Sequence, residues 1–282
     1  MVIGNLLKEA TAVLSAAGIE SARLDSEVLL SHVLKKDRLY LVMHRNDEAD
    51  ETVEAAFREL VARREKSEPV AYLTGSREFM SLEFSVCPGV LIPRPDTETL
   101  VEFVIEKFSE RENPSILDLC TGSGAIAVSL AHYLPNSRVT AADISDLCVT
   151  VAGENAEKNG VSDRVTVLQQ DVFAYESEEP FDCVVSNPPY IPSEVVYTLE
   201  KDVKDYEPHL ALDGGEDGYT FYRYLSTKAV QLLKSGGLLV LEVGHDQAET
   251  VAGFLRETNA YKTVGTKQDL AGINRVVYGI KN

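Results

Sequence analysis

Ile116-Leu117-Asp118-Leu119-Cys120-Thr121-Gly122-Ser123-Gly124-Ala125 decides the fold. The stretch begins as a short apolar run of the length of one buried strand. Gly122 and Gly124 then allow a tight turn in which backbone approaches a ligand without interference from Cβ. The helix that follows offers its first N–H groups to whatever lies on the turn. The same alternation runs to the end of the chain. Strands are predicted at 115–119, 137–142, 164–168, 181–186, 237–243, 261–266 and 274–280, and the helices between them end most clearly at Asn159-Gly160 and Lys234-Ser235-Gly236. Strand and helix in alternation imply an α/β fold, here a seven-stranded, mostly parallel, doubly wound sheet. Only a short loop joins the last two strands, so at least one of them runs antiparallel.

Upstream of this sheet the pattern changes. Residues 1–75 read as a small helical bundle, with Leu6, Leu7, Ala10, Val13 and Leu14 at helical spacing and Gly18 as the stop. Ser21 is the expected cap of a second helix carrying Leu24, Val28, Leu29 and Leu30. A third, from about Glu48 to Lys66, carries Val53, Ala56, Phe57, Leu60 and Val61. Residues 76–92 read as a β-hairpin linker, because Met80, Leu82, Phe84 and Val86 alternate with Ser81, Glu83 and Ser85 before Pro88-Gly89. Leu91-Ile92-Pro93-Arg94-Pro95-Asp96 leads from this linker into the third region, 93–282, with Asp96 expected as the N-cap of the next helix.

The chain has 282 residues, 27 Lys/Arg and 45 Asp/Glu, for a net charge of −18. The imbalance is uneven, at −3 over the first 80 residues and −15 over the rest. Such a surface repels a phosphate backbone, so no long nucleic-acid partner is expected. Cys87, Cys120, Cys148 and Cys183 are scattered, with no C-x-x-C pair, so neither a metal site nor a disulfide framework is expected. The N-terminus runs straight into an amphipathic helix, and no apolar stretch approaches the ~20 residues of a membrane span. A cytoplasmic protein without membrane contact, acting as a monomer, is the expectation.

The glycine turn is compatible with two nucleotides. With Ala127 it satisfies the G-x-G-x-x-G/A dinucleotide fingerprint. Asp143, at the tip of the second strand, is placed to accept hydrogen bonds from ribose hydroxyls. NAD and S-adenosylmethionine both fit that far. Asp118 separates them: a carboxylate entering the turn would repel a pyrophosphate but attract the ammonium and sulfonium of S-adenosylmethionine. Alternatively Asp118 only braces the loop. Asp171 and Val172, after the third strand, would lie beside the adenine, the first bonding its amine and the second covering the ring, unless they are simply a strand-end turn. All these residues fall at the carboxyl ends of strands, where open α/β sheets bind ligands.

Asn187-Pro188-Pro189-Tyr190 follows the apolar run Cys183-Val184-Val185-Ser186. Two prolines fix φ and delete two N–H donors, and each forces an extended residue before it. The product is a stiff shelf of free carbonyls between an amide side chain and an aromatic ring. It suits a flat neutral group with N–H bonds to donate, whether a carboxamide or the amino group of adenine. The plainer alternative is a rigid loop with an Asn cap and a core Tyr. As a site, the Asn187 oxygen and the Pro188 carbonyl would take the two N–H bonds, and Tyr190 would pack on the flat face. Positioning would then supply most of the rate, to which alignment contributes on the order of 7–11 kcal/mol.

Taken together, these segments resemble the HemK-type (PrmC) protein-(glutamine-N5) methyltransferases, which modify peptide chain release factors. The resemblance rests on Asn187-Pro188-Pro189-Tyr190, on Leu91-Ile92-Pro93-Arg94-Pro95-Asp96-Thr97-Glu98, and on Asp118-Leu119-Cys120-Thr121-Gly122-Ser123-Gly124. Ala211-Leu212-Asp213-Gly214-Gly215, Glu242-Val243-Gly244 and Asp269-Leu270-Ala271-Gly272-Ile273-Asn274-Arg275 extend it over nearly the whole chain. It implies that the glutamine of a Gly-Gly-Gln loop on a release factor is converted to N5-methylglutamine. The donor would contact Cys120, Thr121, Gly122, Ser123, Gly124, Asp143, Val172 and Asn187, and the glutamine Asn187, Pro188, Pro189 and Tyr190. The helical region would help dock the release factor. Arg94, Asp96 and Thr97 would either border the substrate entrance or serve only as linker and cap. One departure is Cys120, where the family usually has Gly; donor affinity should suffer if its side chain points inwards.

Overall fold

A computed structural model describes residues 1–282, which fall into two compact units, Met1–Ser76 with Glu200–Tyr206 and Arg77–Leu199 with Glu207–Asn282. The smaller unit contains α1 (Ile3–Ala16), α2 (Ala22–Leu34), α3 (Arg38–Met43), α4 (Glu51–Arg64) and α5 (Val70–Thr74). Its core joins Leu6, Ala10 and Leu14 of α1, Leu29 and Leu30 of α2, and Phe57 and Val61 of α4. Val13 and Leu24, expected on the apolar stripes, are exposed. Asp37 and Asp50 cap α3 and α4 by accepting backbone N–H bonds at 2.8 Å, whereas Ser21 makes no side-chain cap. A buried ion pair, Arg64 to Asp25 at 2.7 Å, ties α4 to α2.

The hairpin that begins the larger unit is β1 (Ser76–Phe79) and β2 (Leu82–Ser85). Its turn is Met80-Ser81, with φ of 50° and 58°, so Met80 is a turn residue and not the first of a strand as expected. Positive φ at both central residues matches the twist of the flanking strands, and the Glu98 carboxylate holds the turn by accepting the Met80 N–H at 2.7 Å.

The sheet follows: β3 (Ser115–Leu119), β4 (Arg138–Asp143), β5 (Val165–Gln169), β6 (Phe181–Ser186), β7 (Leu233–Glu242), β8 (Tyr261–Gln268) and β9 (Asn274–Lys281). Its order is β5-β4-β3-β6-β7-β9-β8, parallel throughout except that β9 is antiparallel to both neighbours. All six residues of β6 are buried, which is why that strand reads as a continuous run. Each of its valines contributes roughly 1.5–3 kcal/mol by leaving water. Between the strands lie α6 (Glu98–Phe108), α7 (Ala125–Tyr133), α8 (Asp146–Lys158), α9 (Thr220–Leu232) and α10 (Ala248–Glu257). The first two pack with the hairpin's Phe79 and Phe84 on one face of the sheet, and α9 and α10 cover the other. α9 ends at Leu232 and β7 starts at Leu233, so Lys234-Ser235-Gly236 is the start of a strand and not the expected helix stop.

The sheet places the site. β3 and β6 are neighbours, and the chain leaves them towards opposite edges, so a crevice opens beyond their carboxyl ends. The glycine turn leaves β3 there and Asn187 leaves β6. Asn155, fully buried on α8, braces the turn from behind: its Nδ2 donates to the carbonyls of Ser123 at 2.8 Å and Ser85 at 3.0 Å, and its Oδ1 accepts the Ser85 N–H at 2.7 Å.

Candidate active site

A cavity of about 280 Å³ fills this crevice. Cys120, Thr121, Gly122, Ser123, Asp143, Asp171, Val172, Asn187 and Pro189 of the expected site line it. Asp118, Gly124, Pro188 and Tyr190 do not. Gly124 starts α7 at φ 80°, where a Cβ would press on Ala152. Its place is structural, beneath the turn.

Asp118 lies fully buried under the turn and accepts the Thr121 hydroxyl at 2.6 Å. Its other oxygen has no partner. Burial pushes its pKa up to about 7 against the pull of the Thr121 hydroxyl. Asp118 therefore meets the cavity only through Thr121, which lines it, and its burial accords with the loop-bracing alternative.

Asp143 is the organising residue of the donor end. One carboxylate oxygen accepts the Gly122 N–H at 2.9 Å and the other the Ser145 N–H at 2.9 Å. Burial raises its pKa, against these N–H bonds. Two more of the turn's amides are committed, Thr121 N–H to the Ala142 carbonyl at 3.1 Å and Gly124 N–H to that of Thr121 at 2.9 Å. A pyrophosphate needs those N–H groups free. Two carboxylates on the wall, Asp143 and Asp171, and three spent amides suit instead a cationic, phosphate-free nucleoside. Above Gly122 a Cβ would meet nothing within 4 Å, which leaves open space on the cavity side of the turn. The residues present therefore fit an adenosyl ligand with an aminoacyl tail.

Cys120 takes φ 61°, a left-handed conformation that costs an L-residue about 1–2 kcal/mol. The backbone here suits glycine. The side chain packs against the core around Leu119 and Val184 while also lining the cavity.

Several lining residues escaped the sequence reading. Ile144 and Phe173 are exposed apolar side chains on the adenine side, with Phe173 5.0 Å from the ring of Phe221. The available signal was an apolar residue directly after a strand-tip acid, in Asp143-Ile144 and in Asp171-Val172-Phe173. Arg94 lines the opposite rim and pairs with buried Glu207. Asp96 is not the N-cap expected. It lies in a turn of 3-10 helix at Pro95–Thr97, and its carboxylate accepts from Arg275 at 2.8 Å.

Around the Asn187 shelf the contacts are denser. Asn187 Nδ2 is 3.2 Å from the hydroxyl of buried Thr97. Burial pushes the Tyr190 phenol up to about 12, so it stays neutral. Gln247, also buried, holds the far end: its Nε2 donates to the Tyr190 carbonyl at 2.9 Å and its Oε1 accepts the Gly244 N–H at 3.0 Å. Glu242, at the tip of β7, is 2% exposed, and burial pushes its carboxyl up to about 7.

Two buried carboxyls with raised pKa values set the pH response of the fold. Unfolded, each titrates near 4; folded, near 7. Their stabilising, neutral forms are complete below the unfolded value and lost as pH rises through the folded one. The stability from each carboxyl should therefore fall as pH rises from about 4 to about 7, by roughly 1 kcal/mol per pH unit, and melting temperature should level off above. A flat profile there would remove one or both from the buried set.

Sheet order, glycine turn and acidic cavity together define a doubly wound α/β methyltransferase. A methyltransferase from Pyrococcus furiosus shares this fold, with a TM-score of 0.54 at 20% identity over 72% of this chain and 91% of that one. Residues 5–75 match the PrmC N-terminal domain and residues 94–206 the methyltransferase small domain. The chain is 46% identical to a release factor glutamine methyltransferase of Moorella thermoacetica, covering 98% of this chain and 97% of that one. It is 41% identical to another from Clostridium acetobutylicum, covering 100% of this chain and 99% of that one. The chain belongs to the release factor glutamine methyltransferase family. No helix in it is long and apolar enough to cross a membrane.

Proposed function

We propose that the protein transfers a methyl group from S-adenosylmethionine to the side-chain amide nitrogen of the glutamine in the Gly-Gly-Gln loop of a peptide chain release factor. The observation that carries this reading is the position of Asn187, on the wall of the donor cavity with its amide nitrogen turned to Thr97. Its oxygen is left for a substrate N–H, and the proline carbonyls beside it have no local donor to satisfy them. S-adenosylmethionine, when bound, supplies an electrophilic methyl group on a sulfonium.

The chain's residues then perform three tasks. Asp143 would receive the ribose hydroxyls with its remaining lone pairs, and Val172 with Ile144 and Phe173 would enclose the adenine. Asn187 and the Pro188 carbonyl accept the two N–H bonds of the glutamine amide. This fixes the nitrogen in line with the methyl carbon and raises the electron density of a nitrogen otherwise weakened by delocalisation. Tyr190, neutral and rigid, covers the flat face. As the N–C bond forms, the S–CH3 bond would break with its electron pair staying on sulfur, which leaves as the neutral thioether, and the amide proton would pass to water.

The adenine amino group of a nucleic acid offers the same two N–H bonds, but the charge disfavours it. Glu194, Glu200 and Asp202 follow the shelf where a phosphate backbone would need cations. A substrate that works on the ribosome places the reaction in the cytosol. The test is incubation with labelled donor and either an intact release factor or duplex DNA, followed by mass spectrometry of the digested factor. One methyl on the loop glutamine, and none on DNA, is expected; label on DNA alone would reverse the assignment.

A further inference from the structure

We infer that Glu242 is a positioning residue that sets which edge of the Asn187 amide faces the substrate. The inference rests on the reading that this site methylates a carboxamide nitrogen, and it concerns a residue outside the cavity wall.

The problem it solves is one of symmetry. An Asn side chain has two edges of nearly equal shape, one accepting and one donating. The contact with Thr97, at 3.2 Å, does not choose between them, because a hydroxyl both donates and accepts. With the oxygen towards the cavity, Asn187 meets a substrate NH2 as an acceptor. With the nitrogen there, two donors face each other and the substrate is repelled.

Glu242 chooses. β6 and β7 run parallel with Ser186 beside Leu241, so the next residues, Asn187 and Glu242, leave the sheet side by side. Thr97 and Asn187 both favour the charged form of the Glu242 carboxyl against the burial that disfavours it, and the Thr97 hydroxyl lies 3.2 Å from Asn187 Nδ2. An ionised carboxyl only accepts, so the Asn187 edge that meets it must be NH2. The oxygen is thereby turned to the cavity.

The position is costly for the fold, which argues for a function. Leu238, Leu239, Val240 and Leu241 before it are buried core. Glu242 ends this run with its Oε2 fully buried and without a hydrogen-bond partner. The groups that face it are few. Arg275 from β9 and Asp96 ahead of α6 oppose each other in sign, being themselves paired at 2.8 Å. Tyr190 and Tyr222 face it as neutral phenols, Tyr222 donating instead to the Glu242 backbone carbonyl at 2.8 Å. Asp96 is the only other anionic acceptor among them, and its carboxylate is committed to Arg275. A protonated Glu242 could itself donate, and then either amide orientation would be stable.

Glu242→Gln tests this, because it keeps the shape and removes only the charge. The full-length protein and its variant are compared for kcat and KM with intact release factor at saturating donor, for donor binding by calorimetry, and for melting temperature. We expect kcat to fall about tenfold to a hundredfold, the scale on which misplaced reacting groups lose rate, with donor affinity unchanged. In the unsubstituted protein kcat should climb with pH through about 7, and in the variant this limb should vanish. Melting at about pH 8 should be higher in the variant, since a buried charge is gone; a residue needed only for folding would give the opposite. Thr97→Val should lower kcat while keeping the limb.

Unchanged kcat and pH profile in Glu242→Gln would overturn the inference, as would a lower melting temperature with donor binding lost. Failure of the unsubstituted protein to methylate the release factor would instead overturn the reading of the site. The two outcomes are read from different proteins in the same experiment.

Discussion

Asn187→Ala should bind S-adenosylmethionine normally and transfer its methyl group about 10³-fold more slowly, the loss expected when a preorganised polar contact to the reacting group is deleted. Donor affinity is spared because the contacts that hold the nucleoside come from elsewhere. Asp143 is fixed by the N–H groups of Gly122 and Ser145, and the turn by Asn155, none of which involves Asn187. The fold is spared because Asn187 is only partly buried and its one side-chain bond is to Thr97. What goes is the acceptor that orients the amide nitrogen. The alanine would also remove the amide that stands beside Glu242 in the strand register, so raising pH should not rescue the variant. Single-turnover rates with donor pre-bound, set beside calorimetry of the donor, separate the two terms. Equal losses in binding and rate would assign Asn187 to the donor pocket, and a near-normal rate would sink the proposed role.

How much of this was legible follows from where each signal resides. β3 and β6 could be read to the residue, at 115–119 and 181–186, because both are buried on two faces and end at residues that cannot continue a strand. The donor turn was legible for a similar reason, since Gly122 and Gly124 need positive φ and announce it. Met80-Ser81 adopts the same kind of backbone without a glycine, held by Glu98 from another element, so the hairpin was read displaced. Asp96 looked like a cap locally but is claimed by Arg275, from the far end of the chain. Asp118 stays open between ligand contact and loop brace in the sequence, because its charge is legible there and its depth is not. Glu242 and Gln247 matter through their position beside the β6 exit, which only strand pairing across more than fifty residues creates.

Gly214→Ala should cost about 100-fold in kcat, although Gly214 touches neither donor nor substrate. The segment Leu212-Asp213-Gly214 pairs with the chain just beyond the shelf: Ile191 N–H donates to the Leu212 carbonyl at 2.9 Å, and Gly214 N–H to that of Ile191 at 2.8 Å. Gly214 is thus pressed flat against Pro189-Tyr190. A Cβ there would lie 2.7 Å from Tyr190 Cα, 2.8 Å from its carbonyl carbon and 2.9 Å from the Pro189 oxygen. All three are backbone atoms, so no rotamer relieves the overlap and the shelf or the Gly214 segment must move. Tyr190 is pinned on its other side by Gln247, and the two prolines cannot bend to absorb the push. Overpacking of this kind costs about 1–3 kcal/mol of stability, whereas a shift of roughly 1 Å at a reacting group costs rate far out of proportion. Gly236→Ala is the control. That glycine has φ 74° and open space around it, so alanine there adds backbone strain with no contact to the shelf. Both variants should melt lower, but only Gly214→Ala should lose kcat, with donor affinity unchanged in each. If the two lost activity in parallel with stability, the rigidity of the shelf would not be what the reaction depends on.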